Sequence, residues 1–346
     1  MKKIRVLVVE DSPVTRQLLE HIIALDPRLE VAAAVETAEE ALRIVDRVAP
    51  DVISMDIRLP GMNGFEATER IMQARPTPIV VVSAGGGDAP AGVKALQAGA
   101  LTILEKPPGV TSPVYEASAE RMCTQLALMS EVKVIRRHAE SRTALVAEAD
   151  PPSAGSGQYK LLGIVASTGG PSALLHLLAG LGPDFPLPIL LVQHIGGSFL
   201  PEFAGWLSTT TPFRIEIVKE RAALEPGKIY LAAPDRHLIV AGRFARGGTG
   251  PPVCSQRPSG TVLFESISAA AGRESIGVLL TGMGEDGAQG LLQLRRCGGW
   301  TIAEDESTAV VYGMPGEAVR LGAASESLAL PAIAPRLLAL TRQRHE

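Results

Sequence analysis

The chain has 346 residues, of which 46% are apolar and only 4% aromatic, and a formal net charge of −4. At about 150 residues per domain, that length excludes one small domain and allows two, each with its own core. Mild acidity without a basic tract excludes nucleic acid as the default partner.

In chain order, Arg5–Glu10 reads as a buried strand, and Ser12 caps a helix running to Leu25. Strand patterns follow at Val31–Val35, Val52–Ile57, Pro78–Ala84 and Leu101–Lys106. Helical spacing lies between them at Ala38–Val48, Gly64–Ala74 and Val93–Ala98. This alternation predicts a doubly wound parallel sheet of five strands. A helical pattern over Met122–Arg137 leads into AEADPPSAGSG at 147–157, which lacks large apolar residues and reads as a flexible linker. The expected organisation is a first domain at 1–125, a helical and flexible linker at 126–157, and a second domain at 158–346.

The second domain is again α/β. Its expected strands are Leu161–Ser167, Pro188–Ile195, Phe213–Val218, Lys228–Ala233, His237–Ala241, Ile276–Gly282 and Trp300–Glu304. Helices are expected at Ser172–Leu181, Phe203–Thr210, Thr261–Ala271, Gly287–Arg296 and Pro331–Gln343, with Arg243–Pro252 as an exposed loop. A mainly parallel sheet is predicted. Cys123, Cys254 and Cys297 are far apart and lack metal-ligand spacing, so reduced, mostly structural thiols are expected. The apolar run after Lys3 is too short for a signal-peptide core or a membrane span, so a cytoplasmic protein without membrane insertion is expected.

Ligands of open parallel sheets bind beyond the carboxyl ends of the strands. In the first domain those ends carry Glu10 and Asp11, then Asp56, Ser83 and Lys106, the last followed by Pro107. Clustered carboxylates repel, and a hard cation such as Mg²⁺ relieves the repulsion. A carboxylate can also accept a phosphoryl group whose oxygens Lys106 pairs. Residues 1 to about 125 resemble a response-regulator receiver domain on this set of residues. The resemblance implies Asp56 as phosphoacceptor, Ser83 and Lys106 as switch residues, Mg²⁺ held by Glu10, Asp11 and Asp56, and a histidine kinase as donor. Ile103 stands where receivers often carry an aromatic residue.

In the second domain, Ser167 ends an apolar strand and is followed by Thr168-Gly169-Gly170-Pro171 at a helix start. Such a turn serves a nucleophilic serine, a phosphate cradle or a simple helix cap. His194 ends the next strand and suits a general base, or a structural histidine. Asp286 lies on a third strand-end turn, as orienter or as helix cap. Together the three favour hydrolysis over a helix-turn-helix regulator or an inert binding module. ASTGGP (166–171), QHI (193–195), TGMGEDGA (281–288) and VVYGMPGEA (310–318) resemble the catalytic domain of the chemotaxis protein-glutamate methylesterase (CheB) family.

That resemblance implies Ser167 as nucleophile, His194 as base and acid, Asp286 as orienter, and an oxyanion site at the Met283 amide and Thr168. It implies hydrolysis of glutamate γ-methyl esters on chemoreceptors to glutamate and methanol, and deamidation of receptor glutamines. No cofactor is expected for hydrolysis, and a monomer is expected. The family's R-P-S-V-D stretch is Arg257-Pro258-Ser259-Gly260-Thr261 here, with Arg257 as a candidate contact to substrate.

Overall fold

The computed structural model describes residues 2–84, 89–132 and 159–342. The expected linker residues 147–157 and the glycines 85–87 lie outside the described residues. The chain forms two compact units, Met1–Glu140 and Ser141–Glu346.

The first unit runs β1 (Ile4–Val9), α1 (Pro13–Leu25), β2 (Leu29–Val35), α2 (Ala38–Val48), β3 (Val52–Met55), α3 (Gly64–Ala74), β4 (Ile79–Ser83), α4 (Ala89–Ala98), β5 (Thr102–Glu105) and α5 (Tyr115–Ser130). All neighbours in its sheet are parallel, in the order β2-β1-β3-β4-β5. Side-chain caps fix three helix starts, because an oxygen there satisfies an amide the helix leaves open. Ser12 accepts from the Thr15 amide, Thr37 from Glu40 and Asn63 from Glu66. α5 continues past residue 125, since Leu126, Ala127 and Met129 are buried. The strand order reverses between β1 and β3, which opens a crevice at their carboxyl ends.

The second unit contains β6 (Leu161–Ala166), α6 (Gly170–Leu181), β7 (Ile189–Gln193), α7 (Leu200–Thr210), β8 (Arg214–Val218), β9 (Arg221–Ala223), β10 (Lys228–Ala232), β11 (His237–Ala241) and β12 (Phe244–Gly248). It continues with α8 (Gly260–Ala270), β13 (Ser275–Leu279), α9 (Ala288–Arg296), β14 (Trp300–Glu304), α10 (Met314–Arg320), β15 (Glu326–Leu328) and α11 (Leu330–Thr341). Seven strands form a parallel sheet in the order β15-β14-β13-β6-β7-β10-β8. β11, β12 and β9 form a separate antiparallel sheet. β6 is the central strand and is buried along its whole length. The chain builds outward from it on one side through β7 and on the other through β13, so the crevice opens where β6 ends.

The expected loop at Arg243–Pro252 is partly strand. Gly242, with φ 61°, and Arg243 close a tight hairpin that returns Phe244–Gly248 along β11. Of the three free cysteines only Cys123 is buried; Cys254 and Cys297 are exposed and pack in no core.

Candidate active site

At the first crevice, Asp56 follows β3, and its amide donates to the Val9 carbonyl at 2.9 Å, which pins it against the end of β1. Lys106 reaches across from β5, with Nζ 2.8 Å from Asp56 Oδ2 and 2.8 Å from Glu10 Oε2. The Ile57 amide donates to Asp56 Oδ1 at 2.7 Å. The Lys106 amide donates to the carbonyl of Ser83, whose side chain is buried. Asp11 is exposed beside them. The five strand-end residues therefore share one rim, as their positions predict, and Ile103 is buried in β5.

Burial pushes the carboxyls of Glu10 and Asp56 above the usual range, against the opposing pull of Lys106. Burial alone would lower the Lys106 ammonium, but its hydrogen bonds to Asp56 and Glu10 raise it. One oxygen from each of Glu10, Asp11 and Asp56 lies within 4.8 Å of the others. An all-carboxylate donor set with one open, exposed side fits a hard divalent cation that keeps part of its water shell. α3 packs tightly behind Asp56: a Cβ on Gly64 would sit 1.9 Å from the Asp56 carbonyl oxygen.

At the second crevice, register brings two candidate residues together. Ala166 pairs with Gln193, so Ser167 and His194 leave the sheet side by side, strand neighbours about 5 Å apart. The Ser167 amide donates to the Thr281 carbonyl at 3.0 Å and the His194 amide to Ala166 at 3.0 Å, tying β6 to β13 and β7. The Gln193 amide group donates to the carbonyls of both Ser167 (2.8 Å) and His194 (3.1 Å). His194 Nε2 stands 2.9 Å from Asp286 Oδ2.

Asp286 is 2% exposed, and four donors converge on it. Besides His194 these are the Ser259 hydroxyl (2.6 Å), the Gly260 amide (2.6 Å) and the Thr261 amide (3.1 Å). The amides belong to the first turn of α8, where the helix presents unsatisfied N–H groups and partial positive charge. Burial would raise the Asp286 carboxyl; the contacts to His194, Ser259 and Gly260 outweigh it and hold the carboxyl below its usual range. Behind Ser259 lies His237, which is buried. Its Nδ1 accepts from the Ser259 amide at 3.2 Å, and its Nε2 is 2.9 Å from the Pro251 carbonyl. An accepting Nδ1 requires the proton on Nε2.

Thr168 is buried beside Ser167, and its carbonyl accepts from the Thr281 hydroxyl at 2.9 Å. The same hydroxyl accepts from the Val311 amide, and the Thr281 amide donates to Glu304. Met283 follows Gly282, whose carbonyl accepts from the Gly313 and Met314 amides. The VVYGMPGEA stretch thus closes the rim. A Cβ on Gly282 would meet Met314 Sδ at 2.4 Å and Ser167 Cβ at 2.7 Å, so only glycine fits there. Arg257 faces the Gly250 carbonyl (3.3 Å) and Asp235 (3.8 Å).

Sequence reasoning named the three residues of this crevice but not the shell that holds them: Ser259, His237, Gln193, Thr281 and Glu304. Ser259 had a readable signal, as a serine directly before a helical pattern.

Residues 162–337 match the family model described as CheB methylesterase, and residues 6–112 match that of the response regulator receiver domain. A protein-glutamate methylesterase/protein-glutamine glutaminase of Paramagnetospirillum magneticum is 53% identical over 341 residues, 97% of each chain. One of Myxococcus xanthus is 44% identical over 98% of this chain and 97% of its own. The crystal structure of the Thermotoga maritima CheB methylesterase catalytic domain is 31% identical with a TM-score of 0.51, covering 53% of this chain and 98% of that one. With one unit for each of the two matches, the chain belongs to the CheB methylesterase family and carries a response-regulator receiver domain.

Proposed function

We propose that this protein is a phosphorylation-regulated serine hydrolase that removes methyl groups from glutamate γ-methyl esters of chemoreceptors and also deamidates receptor glutamines. The carrying observation is the 2.9 Å contact of His194 Nε2 with Asp286 at the strand end beside Ser167. Because Nε2 faces Asp286, Nδ1 is the nitrogen that exchanges a proton with Ser167. Ser167 Oγ attacks the γ-carbonyl carbon as His194 takes its proton. The bond to the methoxy oxygen breaks, His194 returns the proton, and methanol leaves an acyl-serine. Water then attacks by the same route, freeing glutamate and restoring Ser167. With a glutamine substrate, ammonia leaves in place of methanol.

Thr168 and the Met283 amide are assigned to the carbonyl oxygen as it gains negative charge, assisted by the amino end of α6. Asp286 keeps the imidazole oriented and balances its charge while protonated. No described helix is long and apolar enough to cross a membrane, in keeping with a cytoplasmic enzyme that meets its receptors from that side. The assigned limits are a receiver that runs to the end of α5 at Ser130 and a methylesterase domain at 158–346, joined by the residues between.

In the receiver, Asp56 is assigned as acceptor of phosphate from a histidine kinase of the chemotaxis type. Glu10, Asp11 and Asp56 are the residues that would hold Mg²⁺, which when bound offsets negative charge on phosphoryl oxygens. Lys106 already spans Asp56 and Glu10, and so is poised to move to a phosphoryl oxygen with Ser83 beside it. The test is release of methanol from methylated receptors, and of ammonia from receptor glutamines, with and without a phosphodonor. No release of either by the folded protein would overturn the reading.

A further inference from the structure

The small antiparallel sheet gives one face to the core, where Ala222, Leu238, Val240 and Ala245 are buried. Side chains alternate across a strand, so their neighbours face away. Among those neighbours, Arg221 of β9 and Arg246 of β12 are directly opposite each other and both exposed. Like charges in opposed positions repel. Among the described residues, neither guanidinium has a carboxylate partner within ion-pair distance.

The Arg221 guanidinium lies over the Phe244 ring, 3.4 Å from its centroid. Stacking holds the group flat and leaves its in-plane N–H donors available. Lys219 before β9 and Arg243 in the hairpin turn are exposed too, adding positive charge at the ends of the sheet. The chain is net negative, so this cluster runs against its composition.

The sheet is tied to the Asp286 site through a buried residue, His237. His237 pairs with Gly248, two residues beyond Arg246 on the same side of the sheet, a step of about 7 Å. From His237, hydrogen bonds lead through Ser259 to Asp286. We infer that this arginine face docks the acidic stretch of the protein substrate surrounding the residue under hydrolysis. The inference rests on the proposed reaction for its substrate class. Each turnover replaces a neutral ester or amide with a carboxylate, so a segment bearing several such residues becomes more anionic as it is processed. A guanidinium pair without carboxylate partners among the described residues is matched to that product chemistry. The face therefore holds a partly processed segment more tightly than an unprocessed one.

The probe is a labelled synthetic peptide rich in glutamate, with a glutamine peptide of equal length as control, titrated into the full-length protein. The glutamate peptide binds and its affinity falls as salt rises, while the glutamine peptide binds about tenfold more weakly. The pair Arg221→Glu and Arg246→Glu loses about tenfold in affinity for the glutamate peptide. The pair Arg221→Lys and Arg246→Lys, which keeps the charge but not the stack, falls between. In methanol release from methylated receptors, the charge-reversed protein shows a raised KM and an unchanged kcat. Unchanged peptide affinity in the folded charge-reversed protein, or a loss confined to kcat, overturns the inference. A wild-type protein that binds the glutamate peptide yet releases no methanol sinks the proposed reaction and leaves the docking face standing.

Discussion

At the scale of single residues, the second crevice sets a ranking. Ser167→Ala should abolish methanol release, since losing a triad nucleophile costs up to about 10⁶ in turnover. Asp286→Asn should leave more activity than Ser167→Ala or His194→Ala, because the base and nucleophile remain; a steady-state assay of the three variants checks the order. Asp286 also carries a signed pH effect. Its folded carboxyl lies below the usual range, so its contribution to stability is full above the unfolded carboxylate value and is lost as pH falls through the lower folded value. Glu304 has the opposite sign, because burial raises its carboxyl. What it contributes is present below the unfolded value and lost as pH rises through the folded one. Thermal melts from pH 3 to 8 should accordingly show a flatter acid limb for Asp286→Asn and a smaller decline toward neutral pH for Glu304→Gln. Cys123 is a further marker: burial pushes its thiol up to about 11, and thiolate is the reactive form. Native-state alkylation should modify Cys254 and Cys297 first, as peptide mapping would reveal.

Elements translate these contacts into packing. Gly282→Ala should inactivate and destabilise together, because the new methyl group meets both Met314 Sδ and Ser167 Cβ; a stability lowered by about 1–3 kcal/mol in the melt, with lost methanol release, is the expected pair of readings. Removing the Ser259 cap should cost about 1 kcal/mol of stability and also loosen Asp286, so Ser259→Ala should lower kcat as well. The elements legible in the sequence were those with strong local signals. α2 and α3 were found to the residue from their helical spacing, with Thr37 and Asn63 capping the same starts in the structure, and β14 because it is a largely apolar run. β9 and β15 have three residues each, too few to display a period. β12 ends in two glycines, and α10 begins Met-Pro-Gly, so both look like loops until packing overrides propensity. The candidates Ser167, His194 and Asp286 stood out in the sequence because Ser167 and His194 end apolar runs and Asp286 lies on the glycine-containing turn after a third. Their supports did not, because His237 meets Ser259 across 22 residues and Thr281 meets Glu304 across 23; no local pattern encodes a pairing of that separation.

For the molecule as a whole, two units in one chain imply control by proximity. A tethered receiver has a high effective concentration near its neighbour, so a weak inhibitory interaction would be occupied if the two units make one. Phosphorylation at the proposed acceptor Asp56 would add about −1.5 to −2 charges beside Lys106. If the phosphorylated receiver binds its neighbour less well, hydrolysis is released. Residues 158–346 alone should therefore release methanol faster than the unphosphorylated full chain; a folded fragment no faster than the intact chain would show that the receiver does not restrain the enzyme.

The central place of β6 governs how this enzyme is born. Leu161 pairs with Ser275, and His194 waits 92 residues for Asp286. Contacts of such span make parallel sheets slow to assemble. While the chain is being synthesised, β6 emerges with the edge that β13 later pairs still open, its N–H and C=O groups unpaired, so the nascent domain is both inactive and prone to pair wrongly until nearly all of it has left the ribosome. Activity thus arrives late and all at once, and a premature stop before Ser275 leaves an aggregating fragment rather than a weakly active esterase.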